Sequence, residues 1–305
     1  MKINSINKGL LFALITAVIS GFAIFYSKIS LAKIDPLVLT TSRNFYVGII
    51  FLMFFLFSKR LYEIKKLNKK EFILLLLIGI IGGALPFYLF FTGLSQIPAI
   101  TGNLIHKTLF IWVGILAVIF LREKLKPIHI LSYVLIFFAN FYFAFASVKF
   151  SLGIGEIMIF SATILWATEN IIAKKVLKNI SSELVALFRM GVGGLLLVSI
   201  TFLTGKGSSF LVLDINMLII ILVGGSILFF YNFFWYKALK YAPASIATLL
   251  LTLSVVIGNV LNGTFAGVKI TTRDIYSSLL ILAGIVVILV SQKTISKISL
   301  PLKNK

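Results

Sequence analysis

Ten long apolar runs divide this sequence of 305 residues, and short polar or charged segments separate them. A helix needs about 20 mostly apolar residues to cross the hydrocarbon core of a bilayer, and each run has about this length. Hydrophobic residues make up 60% of the chain and charged residues only 12%, which is too little charge to cover a water-facing surface. We therefore predict an all-α integral membrane protein with ten transmembrane helices. The predicted spans are residues 9–31, 37–57, 72–94, 98–121, 128–148, 155–173, 184–204, 215–236, 243–266 and 274–291.

The distribution of Lys and Arg predicts how these spans are oriented. The chain has 29 Lys and Arg against 9 Asp and Glu. In so apolar a protein this excess indicates orientation and contact with anionic membrane lipid, and we expect no nucleic-acid partner. With both termini in the cytoplasm, 20 basic residues lie on cytoplasmic segments and 6 on outer segments. The positive-inside rule therefore predicts a multi-pass plasma-membrane protein with both termini cytoplasmic.

The second half of the chain repeats the first. Rare residues recur at an offset of 146 residues in the first part of each half and 145 in the rest. The pairs are Gly9 and Gly155, Lys28 and Lys174, Arg43 and Arg189, Gly48 and Gly194, Gly79 and Gly224, Pro98 and Pro243, and Lys124 and Lys269. Each half has five spans, an odd number, so we expect two domains, residues 1–148 and 149–305, in opposite orientations. Inverted repeats are typical of secondary transporters.

Several short motifs carry a family resemblance. They are Arg43 and Arg189, Trp166 with Ala167 and Asn170, the turns 95–99 and 240–244, and the charged hairpin 120–125. With these motifs the chain resembles the EamA-type branch of the drug/metabolite transporter superfamily. The resemblance implies two inverted five-helix repeats, with spans one, three, four, six, eight and nine around a central cavity. The second hairpin, around Val268, lacks the acidic residue that Glu123 supplies in the first, where it is either a gate or an ordinary loop residue.

Polar side chains within the spans are the candidate binding residues, because an ionisable group at the bilayer centre is costly unless it faces water or a partner. Lys107 lies about 4 Å from the middle of span four, beyond the reach of a snorkelling lysine. His106 precedes it, and Asn103 lies one turn away on the same face as Lys107. We expect Lys107 to attract an anionic group of the substrate and the other two to orient it. Interhelical hydrogen bonding is the alternative role for His106 and Asn103.

Glu169 in span six is the candidate for binding an amino group or a coupling proton. The alternative role of Glu169 is an ion pair with Lys174 or Lys237. Glu169 and Lys107 are about 11 Å apart along the membrane normal, so we expect two charged walls of one cavity rather than a direct ion pair. The other candidate substrate-binding residues are Trp166, Asn170, Tyr88, Asn232, Trp235 and Tyr236. Snorkelling explains Arg43 and Arg189, which lie about two turns from their helix ends.

These features together predict a secondary transporter that moves a small polar organic metabolite, such as an amino acid, by alternating access, and the family resemblance implies export. The alternatives are a multidrug or organic-cation exporter and a lipid flippase. The chain has no cysteine and two histidines, and we predict neither a metal site nor a cofactor. The chain contains no recognisable set of catalytic residues, so we do not expect an enzyme. A homodimer stays open.

Overall fold

The computed structural model describes residues 5–145 and 153–298. Within these ranges the chain forms helices joined by short loops, with one 3₁₀ turn at Gly207–Phe210. The helices are α1 (Ser5–Leu31), α2 (Pro36–Phe57), α3 (Tyr62–Lys65), α4 (Lys69–Gly83), α5 (Leu85–Leu94), α6 (Ala99–Lys107), α7 (Leu109–Leu121), α8 (Pro127–Phe145), α9 (Ile154–Val176), α10 (Ser182–Leu203), α11 (Ile215–Tyr241), α12 (Ala244–Leu251), α13 (Leu253–Phe265) and α14 (Thr272–Ile298).

The helices follow the ten predicted spans. Spans three, four and nine each consist of two consecutive helices, α4 with α5, α6 with α7, and α12 with α13, and α3 lies in a loop. In the described ranges, nine spans are long and apolar enough to cross a membrane, and Pro127–Phe141 of span five is a shorter apolar helix. The predicted end of span five, residues 146–148, lies outside the described residues. The predicted fold class is confirmed.

The two halves of the chain interlock. Span one packs against spans eight and nine, and span six packs in the same way against spans three and four. Span two packs against span seven, and span five against span ten. Each of these contacts between the halves therefore has a counterpart with the two halves exchanged, as a pseudo-two-fold axis in the membrane plane requires.

Spans four and nine are interrupted at places that differ by one residue in the alignment of the two repeats. Thr108 ends α6, and its hydroxyl donates a hydrogen bond of 2.6 Å to the carbonyl of Ile105. Thr252 ends α12, and its hydroxyl donates a bond of the same length to the carbonyl of Leu249. Average hydropathy predicts continuous helices here, because one threonine in a long apolar run hardly changes it.

Spans three and seven cross where two glycines touch. A side-chain carbon on Gly193 would lie 2.5 Å from the Cα atom of Gly83 and 2.7 Å from its carbonyl oxygen. No methyl group fits at these distances, so the two backbones are in direct contact. Small residues allow helices in a membrane to pack this closely.

Gly193→Ala is expected to lower the melting temperature of the purified protein, because the added methyl group pushes span seven away from span three. Overpacking of this kind destabilises a protein by about 1–3 kcal/mol. Gly191→Ala is the matched control, since a side-chain carbon there meets only Leu187, at 3.7 Å. Thermal unfolding in detergent compares the two variants, and equal melting temperatures would contradict the crossing.

Candidate functional site

A proline in span three leaves a backbone carbonyl free to bind a side chain of the site. Pro86 has no N–H group, so the carbonyl of Gly82, four residues earlier, lacks its helical partner. The indole N–H of Trp166 donates to this carbonyl at 3.1 Å, and the side-chain amide of Asn44 donates to the carbonyl of Gly83 at 3.2 Å. Trp166 of span six and Asn44 of span two are thereby fixed against span three.

Spans six and eight share a buried polar network. Glu169 is only 1% exposed, and the hydroxyl of Tyr236 donates a hydrogen bond of 2.6 Å to its carboxylate. The indole N–H of Trp235 donates to the side-chain oxygen of Asn170 at 3.0 Å, and the amide of Asn170 donates to the carbonyl of Trp166 at 2.8 Å. Five of the predicted site residues therefore form one cluster.

Arg189 of span seven completes this network. Its guanidinium is buried and donates a hydrogen bond of 2.7 Å to the side-chain oxygen of Asn232. A side-chain carbon on Gly82 would lie 3.0 Å from the carboxyl carbon of Glu169 and 3.3 Å from Nε of Arg189. The carboxylate and the guanidinium therefore border the same small space. We call Glu169, Arg189, Asn232 and Tyr236 the Arg189 layer.

Glu169 has neither of the lysine partners considered from the sequence. Lys174 donates to the carbonyls of Leu239 and Ala242, and Lys237 pairs with Glu183 at 3.2 Å. The ion pairs within the described residues include none between Glu169 and Lys107.

The predicted residues of span four lie beside the network, not within it. The ring of His106 is 4.9 Å from that of Trp166, and its Nδ1 atom is buried without a partner among the described residues. Lys107 and Tyr88 are half-buried, and Asn103 is exposed. None of these three side chains has a hydrogen bond or ion pair with a described residue.

The expectation that Arg43 and Arg189 snorkel is wrong. Their side chains are buried and bonded within the protein. Arg43 donates hydrogen bonds to the hydroxyls of Ser30 at 2.7 Å and Ser27 at 3.1 Å. The matched positions of the two arginines were the sequence signal for a shared role, whereas depth along the helix alone was misleading.

Arg43 faces a cavity between spans one, two, three and eight. Its volume is about 170 Å³, and Arg43 is the single charged residue among the described residues that line it. Asn44 and Phe87 also line the cavity. Asn44 also bonds to span three, and the ring of Phe87 also lies 5.1 Å from that of Trp166.

Comparison with known proteins agrees with this architecture. The model of the EamA-like transporter family matches residues 7–145 and again residues 153–290. The chain belongs to the EamA-like transporter family. The predicted resemblance is thereby confirmed, and this EamA-like protein is a multi-pass membrane transporter rather than an enzyme at the level of its family.

Solved structures add evidence on the fold alone. One crystal structure is 14% identical to this EamA-like protein, with a TM-score of 0.78, and the match covers 92% of this chain and 96% of that one. A comparison with curated proteins finds no match.

Glu123 ties together the end of the EamA-like protein that is predicted to face the cytoplasm. Its carboxylate accepts hydrogen bonds from the backbone N–H groups of Ala244 at 2.7 Å and Ser245 at 3.1 Å, and from the hydroxyl of Ser245. Ala244 and Ser245 begin α12 and are buried. Ion pairs of Arg60 with Glu63 and Glu183 hold the same end. Glu123 is therefore placed as a gate residue would be.

The opposite end has fewer such contacts among the described residues. One ion pair of 2.7 Å joins Lys206 to Asp35 across the two loops there. Val268, which occupies the position equivalent to Glu123, is exposed and apolar. This end therefore lacks a carboxylate equivalent to that of Glu123.

The carboxylates of Asp35 and Glu63, which lie outside the spans, stay ionised at physiological pH. Partial burial acts to raise the pKa of Asp35, but the hydrogen bond and charge of Lys206 outweigh it and the pKa is lowered. Burial likewise opposes the hydrogen bonds from Arg60 and Ser181 to Glu63, whose pKa is also lowered. Such carboxylates stabilise the fold at neutral pH, and this contribution is lost only as the pH falls below about 4. A pH dependence between pH 5 and 8 therefore has another origin.

Glu123→Ala is expected to open the predicted cytoplasmic end. The chain has no cysteine, so Thr248→Cys, at a buried position of α12, provides a single site for a maleimide. Adding Glu123→Ala should speed its labelling by about tenfold, since one hydrogen bond to a charged group contributes about 1.5–3 kcal/mol. Asp35→Ala, at the other end, is the control and should not speed it. Equal rates in all three proteins would exclude Glu123 as a gate residue.

Proposed function

We propose that this protein is a secondary transporter that exports a small polar organic metabolite, such as an amino acid, by alternating access. The observation that carries the proposal is the pair of buried arginines. Arg43 faces a cavity, whereas Arg189 lies in a closed polar network, and both occupy the same position in their repeats. Exchanging the conformations of the two repeats would close the cavity at Arg43 and open the Arg189 layer.

The unequal ends support alternating access. Glu123 and the Arg60 ion pairs hold the predicted cytoplasmic end, while the cavity lies toward the other end, beneath the ion pair of Asp35 and Lys206. The charge bias of the loops supports a plasma-membrane location with cytoplasmic termini. A homodimer remains a prediction.

The size of the cavity favours a small substrate. Its volume of about 170 Å³ is below the range of about 300–1,000 Å³ that is usual for pockets of drug-sized ligands. The charge of Arg43 also opposes an organic cation. A metabolite therefore fits this cavity better than the substrate of a multidrug exporter.

The residues predicted from the sequence keep their proposed roles. Glu169, buried and bonded to Tyr236, is proposed to bind a coupling proton or an amino group. Lys107, which has no hydrogen bond or ion pair with a described residue and does not line the cavity at Arg43, is proposed to attract an anionic solute from a distance, with Asn103 and His106 orienting it. Trp166, Asn170, Tyr88, Asn232 and Trp235 would form the aromatic and amide walls.

Counterflow in proteoliposomes tests the proposed function. Purified protein is reconstituted, loaded with an unlabelled amino acid or other metabolite, and supplied with the same labelled solute outside. Saturable accumulation of label is expected. Scrambling of labelled lipid without any solute exchange would instead indicate a flippase, and unsaturable conductance in a planar bilayer would indicate a channel.

Lys107→Ala is expected to reduce counterflow at least tenfold, because the variant lacks the proposed attraction for an anionic solute, and 1.4 kcal/mol corresponds to a factor of ten. Its melting temperature should stay close to that of the wild type, since no described side chain depends on Lys107. Lys178→Ala, at an exposed loop position, is the control. Normal counterflow in Lys107→Ala would remove this lysine from the site.

Glu169→Gln is expected to abolish the dependence of transport on pH between pH 5 and 8. The amide keeps the size of the side chain and can still accept the hydrogen bond of Tyr236, but it cannot bind a proton in this range. Tyr236→Phe is the comparison, because it removes the hydrogen bond and leaves the carboxylate. Should Glu169→Gln and the wild type share one pH profile, Glu169 is not the coupling residue.

A further inference from the structure

The repeat relates the two arginine layers residue by residue. The offset of 146 residues that pairs Arg43 with Arg189 also pairs Ala23 with Glu169. The offset of 145 residues pairs Phe87 with Asn232 and Phe91 with Tyr236. Ala23, Phe87 and Phe91 all line the cavity at Arg43. The cavity is therefore the counterpart of the Arg189 layer in the other repeat.

The two layers differ in what surrounds the guanidinium. The carboxylate of Glu169, the amide of Asn232 and the phenol of Tyr236 lie around Arg189. Ala23, Phe87 and Phe91 occupy the equivalent positions in the lining of the cavity at Arg43. At Arg43 these three polar groups are replaced by apolar ones, and a cavity is present where side chains fill the Arg189 layer.

Arg43 lacks a counter-charge in this cavity. Its hydrogen-bond partners Ser27 and Ser30 are neutral, and so is Tyr26, whose ring centroid lies 5.8 Å from the guanidinium carbon. The described residues that line the cavity include no Asp or Glu. A buried charge without a partner is strongly unfavourable, and a bound ion of opposite charge would remove this penalty.

We propose that the transported solute supplies the missing charge, as a carboxylate that binds Arg43 where Glu169 would lie if the first repeat matched the second. The planar guanidinium pairs well with a carboxylate, and Phe87 and Phe91 form an apolar wall for the rest of the solute. This inference rests on the proposed transport function and adds the charge class and the site of its substrate.

The test compares a carboxylate with its amide of nearly the same shape. Binding of lactate and of lactamide to the purified protein is measured in wild type, Ala23→Gln and Ala23→Glu. Lactate is expected to bind at least tenfold more tightly than lactamide in wild type and in Ala23→Gln. Ala23→Glu places a carboxylate beside Arg43 and should remove this preference, while Ala23→Gln controls for the volume of the new side chain.

Three further measurements make the test independent of a folding defect and of a single probe. Arg43→Gln should also remove the preference for lactate, and it adds no charge or volume. Inorganic phosphate is the second anion, and tighter binding of phosphate than of lactate at Arg43 would overturn the assignment to carboxylates. In the absence of any solute, Ala23→Glu should melt at a higher temperature than Ala23→Gln, because an internal ion pair forms.

The outcomes separate this inference from the proposed function. Equal preference for lactate in Ala23→Glu and Ala23→Gln, or no binding of lactate to wild type, would overturn the carboxylate site. Counterflow of neutral or cationic solutes in the same preparation would then leave transport standing. Binding of lactate that requires Arg43, without counterflow of any solute, would support the site and contradict transport.

Discussion

Charge enclosed at membrane depth is the constraint on which the rest of this structure depends. Arg43, Glu169 and Arg189 lie within the spans, and their side chains are buried. Lipid cannot solvate such groups, so helices must enclose them on all sides. The contact of Gly83 with Gly193 brings spans three and seven together around Arg189. Interlocked repeats meet this requirement because spans of both halves surround these side chains: span eight lies against Arg43, and span three lies against Glu169 and Arg189.

Duplication explains why the charged layers come in pairs, and divergence explains why they differ. Glu169 and Glu123 have Ala23 and Val268 as their counterparts in the other half. Hydrogen bonds to the two carboxylates join helices at one end of the protein, and the other end contains the cavity. Two identical inverted repeats would give two states of equal free energy, so substitutions of this kind set which state is more populated.

Hydropathy predicts the spans well because burial in lipid demands about 20 apolar residues, whatever their neighbours are. It does not predict the interruptions at Thr108 and Thr252, which depend on single hydrogen bonds. The cluster of Trp166, Glu169 and Tyr236 follows from their depth and polarity. Which polar residue meets which cannot be predicted in this way.

The role of Arg43 shows the limit of reading one span at a time. Its distance from the helix end suggested snorkelling, whereas the structure buries it beside a cavity. The alignment of the two repeats contained the missing information, since it pairs Ala23 with Glu169. Comparing equivalent positions for lost charges would have indicated this site, but only the packing of spans one, two, three and eight shows that a cavity lies there.

Reciprocal motion of the two ends is the most direct test of this account. Because the chain has no cysteine, spin labels can be attached through cysteines at two exposed positions of each end. Double electron–electron resonance then measures the distance between positions 124 and 179 at one end and between positions 33 and 208 at the other. Both distances are measured with and without a transported solute. Alternating access predicts that the first distance increases as the second decreases. Two distances that stay constant, or that change in the same direction, would contradict alternating access.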